Sequence, residues 1–294
     1  MGKTNEQKGI LALVILCLGF GVIAIAARHL SSYFTLFQQL YLSLAVAFIF
    51  SLFIFRTNLI IKRLKKVPKK DWFIMFLRVV IGYIIAASLY RESLVLTKIS
   101  NVTFIQSIPF GAILGWILFK EKFTLKKFLL LMLAYIGVLL IAVNDYLSVL
   151  VFGKGELFSL ISTGLFSFSY ICRKWMTDYL DDKEMTQILL FIGAVLLAGI
   201  SFGRGEPLPH INFEWLLLIS LFFTGIFNVL NIYLINYGFK NVPVVLASNI
   251  LTLESVFALI LAFIFYRELP SLKELAGGVL ILSSVIAMNH TESK

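Results

Sequence analysis

The sequence predicts an all-α membrane protein: ten transmembrane helices arranged as two inverted-topology five-helix repeats. The chain is 60% hydrophobic and only 14% charged, with a mean hydropathy of +0.93. A soluble domain carries about 25% charged residues, so this composition cannot cover a water-facing surface. Apolar runs near 20 residues recur from end to end, and each is long enough to cross a ~30 Å hydrocarbon core as a helix. The knuckle Arg267-Glu268-Leu269-Pro270-Ser271-Leu272-Lys273 also repeats, 147 residues earlier, as Lys120-Glu121-Lys122-Phe123-Thr124-Leu125-Lys126, with five of seven columns matched in kind. That shift is half of the 294-residue length, so the chain reads as a duplication, 1–147 and 148–294. Five crossings per copy is odd, so the second copy enters the membrane upside down relative to the first.

The first run, Gly9 to Ala27, contains Ala24-Ile25-Ala26, which resembles a signal-peptide cleavage site. Its apolar core is too long for that role and has a counterpart at Gly155 to Cys172, so it is expected to stay as a helix. The second span, 34–55, carries Gln38 and Gln39 near one end, candidates for an outer vestibule. The third, 72–90, holds Arg78, with Gly82, Tyr83, Ala86 and Tyr90 beyond it. Arg78 either snorkels to the headgroups or faces a cavity, where it would hold a carboxylate or phosphate bidentately.

The fourth span, 102–119, offers Thr103, Gln106, Ser107 and Phe110, and Pro109 frees a backbone carbonyl. Its Gly111 and Gly115, like the glycine pairs Gly19 with Gly21 and Gly277 with Gly278, read as close helix packing or as hinges. The fifth, 125–143, follows the first knuckle. The sixth, 155–175, places Thr163, Ser167 and Tyr170 on one face, and the seventh covers 186–202. Thr224, Asn228 and Asn231 form a polar stripe on the eighth, 214–237, for substrate contact or helix–helix hydrogen bonding. The ninth, 242–265, has Glu254 about 12 residues in, roughly 18 Å at 1.5 Å per residue. The tenth is 272–289. Trp72, Trp175 and Trp215 fall near span ends as interfacial anchors, and Trp116 is expected to pack at depth.

With the N-terminus inside, eighteen Lys and Arg fall in inner segments and seven in outer ones, with Arg78 within a span. Both termini are therefore expected in the cytoplasm. The same rule explains the net charge of +10 and the cluster Lys62 to Lys70 without nucleic acid. Anionic lipid is an added partner for that cluster. Cys17 and Cys172 lie inside apolar runs, which excludes a disulfide framework, and no Cys/His spacing resembles a metal site. The histidines His29, His210 and His290 fall in loops or tails. No P-loop or cofactor motif is present, and Asp181-Asp182 with Glu184 reads as a solvated loop without a nearby histidine.

Ser107-Ile108-Pro109 through Phe119-Lys120-Glu121, and Leu253-Glu254-Ser255-Val256 through Tyr266-Arg267-Glu268, resemble the drug/metabolite transporter superfamily and, within it, the EamA-type ten-helix carriers. The resemblance covers about 9–143 and 155–289. Ser255 stands where the second half's Pro is usual, and Lys120 and Arg267 replace the usual Gly. The resemblance implies a prokaryotic inner-membrane exporter or exchanger of small metabolites, often amino acids, without an ATP-binding part.

These readings converge on a secondary active transporter that alternates access around a midplane site for a small polar metabolite such as an amino acid. The candidate binding residues are Arg78, Tyr83, Thr103, Gln106, Ser107, Tyr170, Asn228, Asn231 and Glu254. A carboxylate near the bilayer centre is costly, so Glu254 is a candidate proton carrier or counter-charge, or else pairs with an Arg or caps a broken turn structurally. Ala247 and Ala258, on nearly the same face, are expected to leave space around it. A proton or a counter-substrate would drive the cycle. A membrane-embedded enzyme on a lipid substrate would need a cluster of acids, histidines or an activated nucleophile, which the sequence lacks. A non-transporting receptor or assembly subunit is the other alternative. Glu121 and Glu268, at helix junctions with basic neighbours, are expected to be caps or loop ion pairs.

Overall fold

A computed structural model of the protein describes residues 3–56, 64–97, 99–143, 153–210, 214–267 and 269–292. Among these residues the chain is helical with no strand. Helix α1 is Lys3–Leu30 and α2 is Leu36–Phe55; α3, Lys69–Arg78, continues through a π-helical segment, Val79–Ala86, into α4, Ala87–Leu96. Then come α5 Ile99–Gln106, α6 Phe110–Phe119, α7 Leu125–Ala142 and α8 Lys154–Ile171, the last closing in a 3₁₀ turn, Cys172–Trp175. The remainder is α9 Asp182–Gly203, α10 Trp215–Asn241, α11 Val244–Leu251, α12 Leu253–Tyr266 and α13 Leu272–Glu292. Among the described residues, eight helical stretches are long and apolar enough to cross a membrane, and Phe104–Phe119 is a shorter apolar one. Large apolar side chains such as Phe53, Ile219, Phe222, Val279 and Ile286 are exposed around the outside, as a lipid-facing surface requires.

Local chemistry explains where these helices begin and end. Thr35 and Gln38 form a capping box that starts α2, and Asp181 and Glu184 form one at α9. The Thr124 hydroxyl accepts from the Lys127 amide at 3.3 Å to start α7. Both knuckles turn the chain through a left-handed residue, Lys120 at φ 53° and Arg267 at φ 58°, which ends α6 and α12. That backbone is the reason glycine suits the position, and these two basic residues hold it at a cost of about 1–2 kcal/mol each.

Contacts sort the chain into two ends. At one, which we call the basic end, Gly9 meets Asn241 and Val242, Asp71 meets Thr177, Glu121 meets Val244, and Lys127 pairs with Glu292. The start of α1 and the end of α13 therefore share this end. At the other end Tyr33 donates to Glu214 at 2.8 Å, Thr35 to Glu206 at 2.6 Å, and Lys273 to the Val143 carbonyl at 2.6 Å.

Much of the packing recurs when 1–147 and 148–294 are exchanged by the 147-residue shift. Helix α1 packs on α10 as α8 packs on the π segment and α4. Helix α1 also meets α11 and α12, as α8 meets α5 and α6. The pairs α2·α9 and α7·α13 map onto themselves, whereas α6·α11 has no counterpart of similar extent between α5 and α12. Small residues let these pairs close. A Cβ on Gly277 would stand 2.5 Å from the Gly137 carbonyl oxygen, and one on Gly115 would stand 2.8 Å from the Val244 Cβ. Helices without a hydrophobic drive between them in lipid associate through such close backbone approach.

Candidate functional site

Helix α12 has two exposed faces on opposite sides. At about 100° per residue, Glu254 and Ala258 share one face while Ile260 and Phe263 lie across the helix, and all four are exposed. The Ile260 and Phe263 side meets lipid. The Glu254 side points inward: protein atoms surround this carboxylate closely, and it lies within electrostatic reach of Cys17 on α1, Tyr90 on α4 and Tyr170 on α8. A side chain that has accessible surface while enclosed by three other elements borders a cleft inside the bundle. No hydrogen bond or ion pair to the Glu254 carboxylate occurs among the described residues, so the structural pairing with an Arg is not formed there. Ala258 leaves space as expected. Ala247 does not; it is wholly buried on α11.

Aromatic rings line the approach to Glu254. Tyr90 meets Phe166 edge-on with centroids 6.3 Å apart, Phe166 stacks on Tyr170 at 6.1 Å, and Tyr170 leans on Phe239 at 5.7 Å. Tyr90, Phe166 and Tyr170 are half-buried, whereas Phe239 is closed off. Tyr83 lies within electrostatic reach of both Tyr170 and Arg78. It sits in the π segment, a helix form that leaves main-chain carbonyls without their usual partner and is common at functional sites. The Ser169 hydroxyl satisfies one of them, donating to the Arg78 carbonyl at 3.1 Å, and Gly82 permits that approach. Tyr90 and Phe166 were not among the residues singled out for binding. Their i, i+4 spacing within α8 and the tyrosine repeat after Arg78 were the available signals.

Arg78 neither snorkels nor opens to the cleft. It is 3% exposed, its Nε donates to the Ser169 carbonyl at 3.0 Å, and an Nη donates to Asn236 Oδ1 at 2.7 Å. The guanidinium thus joins α3, α8 and α10. Gln106 donates to the Ser162 hydroxyl at 2.6 Å, and Ser107 to the Phe104 carbonyl at 2.6 Å, beside the break at Pro109. The Thr103 side chain lies outside the described residues.

The polar stripe of α10 divides. Thr224 donates to the Ser220 carbonyl at 2.6 Å and Asn228 to the Thr224 carbonyl at 2.8 Å, so both satisfy themselves within their own helix. Asn231 is 3% exposed against Gly19, and both amide atoms of its side chain lack a partner among the described residues. Gln38 and Gln39 are ties rather than a vestibule: they donate to the Pro207 and Phe34 carbonyls, and Gln39 accepts from Arg91. Trp116, expected to pack at depth, is 53% exposed on the outer surface, and Trp175, in the turn that closes α8 at the basic end, stacks on Phe119.

The basic end closes the cleft. Asp182, expected in a solvated loop, is buried and holds the buried Arg173 with bonds of 3.0 and 2.8 Å; Glu184 is buried as well. The capping box at Asp181 turns α9 inward and carries these acids under the bundle. Asp178 pairs with Lys240 at 2.6 Å, and this Lys240 hydrogen bond holds the Asp178 carboxyl below its usual range. Glu121 is a cap, as expected, but for the other half of the chain: it accepts from the Val244 and Val245 amides at 2.8 and 3.0 Å and pairs with Lys174 at 3.4 Å. An acid on a helix N-terminus is favoured by the macrodipole and satisfies donors that have no partner in the helix. Glu268 lies outside the described residues.

A polytopic helical membrane protein with an acid-bearing, aromatic-lined cleft between its halves has the construction of a small-molecule carrier. The EamA-like transporter family model matches residues 7–143 and again 153–290, and the chain belongs to this family. An uncharacterized transporter of Methanothermobacter thermautotrophicus is 24% identical over 230 residues, 76% of this chain and 66% of that protein. The match thus spans just under two thirds of that relative. Uncharacterized transporter sll1164 of Synechocystis sp. is 23% identical over 248 residues, 79% of this chain and 70% of its own. A solved crystal structure shares the fold with a TM-score of 0.76 at 13% identity, covering 97% of this chain and 96% of that one.

Proposed function

We propose that the protein is a secondary active transporter that alternates access around the Glu254 cleft, exporting or exchanging a small polar metabolite, in the class of amino acids and related amines. The two halves, 1–147 and 148–294, are five-span repeats of opposite topology. Ten crossings put both termini in the cytoplasm of a prokaryotic plasma membrane, with the basic end inside. The packing that recurs on exchange and the doubled family match support this arrangement.

The observation that carries the proposal is an accessible carboxylate with no ion-pair partner among the described residues, inside the bundle and facing elements of both halves. A charged group at that depth costs several kcal/mol unless something compensates it, so loading by a proton or a substrate stabilises it. The coupling assigned to Glu254 is tested in proteoliposomes. The unmodified protein should move substrate faster under an imposed pH gradient, and Glu254→Gln should lose that response. An equal gradient response in the variant removes Glu254 from coupling.

A further inference from the structure

Resting on the carrier reading of the same cleft, we infer that its substrates are cationic amines with an apolar or aromatic body, the ammonium held between Glu254 and the rings of Tyr90 and Tyr170. Four features of the site lead there. The carboxylate is the accessible acid of the cleft and has no ion pair among the described residues. The nearby guanidiniums are turned to other work. Arg78 is buried and bonded to Ser169 and Asn236, and Arg91 donates to Gln39. A substrate carboxylate would therefore enter beside Glu254, where these two guanidiniums already donate to protein acceptors, and like charges in a low dielectric repel strongly. The half-buried rings Tyr90, Phe166 and Tyr170 stand in a ladder, and such ring faces attract a desolvated ammonium while their area accepts an apolar body.

The inference separates amines from zwitterions and anions of the same shape, which makes it testable without knowing the natural substrate. Purified full-length protein in detergent is titrated calorimetrically with phenethylamine, phenylalanine and phenylacetate, which share one ring and differ in charge. Phenethylamine should bind most tightly and phenylacetate not at all at about millimolar concentration. Glu254→Gln should weaken phenethylamine about 10- to 100-fold, the scale of a lost charge-assisted contact, while Glu254→Asp retains most of it. Tyr170→Leu should weaken it about tenfold and Tyr170→Phe leave it nearly unchanged, because the ring face is what matters. Phenylalanine or phenylacetate binding as tightly as phenethylamine overturns the inference. So does the absence of any phenethylamine binding, or binding indifferent to Glu254→Gln. The ranking on the unmodified protein decides even if a variant does not fold. Amine binding without flux in vesicles would sink the carrier reading and leave this inference standing.

Discussion

At the scale of single residues, the protein places unusual side chains where geometry asks for something else. Lys120 carries a left-handed backbone that glycine adopts freely, and its side chain is exposed. Lys120→Gly relieves about 1–2 kcal/mol of that strain and gives back roughly 0.5–1 kcal/mol in unfolded-chain freedom. It should therefore raise stability by up to about 1 kcal/mol, seen as a higher melting temperature in detergent; a lower one would contradict the left-handed turn. Asn231 shows the opposite case, a buried amide without partners among the described residues. Leaving such a group unsatisfied costs about 1–3 kcal/mol. Thr224 and Asn228 looked equivalent to it in the sequence because spacing places all three on one face. Only coordinates reveal that two of them bond back to their own helix.

At the scale of elements, backbone contact and terminal charge hold the helices in register. Helices α7 and α13 touch backbone to backbone at Gly137 and Gly277, whereas nothing stands within 4 Å of a Cβ at Gly278. Gly277→Ala should destabilise the protein by about 1–3 kcal/mol, as overpacking does. Gly278→Ala should be neutral or stabilising by up to about 1 kcal/mol. Chemical unfolding of the two variants side by side checks the pair, and equal effects would mean that this helix contact is not made.

The basic end adds a pH dependence. Asp178 is held below its ordinary carboxyl range first by the Lys240 hydrogen bond. A depressed carboxyl contributes stability that is present above its unfolded value, near 3.9, and is lost as pH falls through its lower folded value. Melting temperature should therefore fall as pH drops below about 4, and Asp178→Asn should lessen the fall. Because Asp178 is mostly exposed, the effect is small and shrinks with salt.

Across the whole molecule, burial changes along the span that runs from α11 into α12. Every residue from Val244 to Ile250 is buried at the basic end, while Ala258, farther along the same span, is exposed beside Glu254. The accessible surface beside Glu254 thus lies farther along the chain from the basic network of Arg173, Asp182, Glu121 and Lys174 than the buried α11 residues do. In a background lacking Cys17 and Cys172, and on the proposed topology, Ala258→Cys should react with a membrane-impermeant thiol reagent added from the outer side, and Ala247→Cys should not. Fast labelling at Ala247 would show that this end is open. Breaks interrupt the helices at Ser107–Pro109 and at Thr252, within about four residues of each other under the 147-residue shift, which fits the rocking of two halves proposed above.

What the sequence determined by itself was whatever depends on period and composition. Apolar length marks the spans, the knuckle repeat marks the copy point, and Glu254 stands out because an acid in an apolar run is expensive wherever the helix packs. Tertiary structure alone decided direction. Whether Arg78 reaches lipid, cleft or protein depends on which neighbour offers acceptors, and Ser169 and Asn236 are 91 and 158 residues away in the chain. The same holds for Glu121, whose helix belongs to the other half, and for Asp182, which only the turn of α9 carries inside. Side-chain partners across a bundle are set by packing of distant segments, and a helical sequence read along its own axis records the face of a residue but not what stands opposite it.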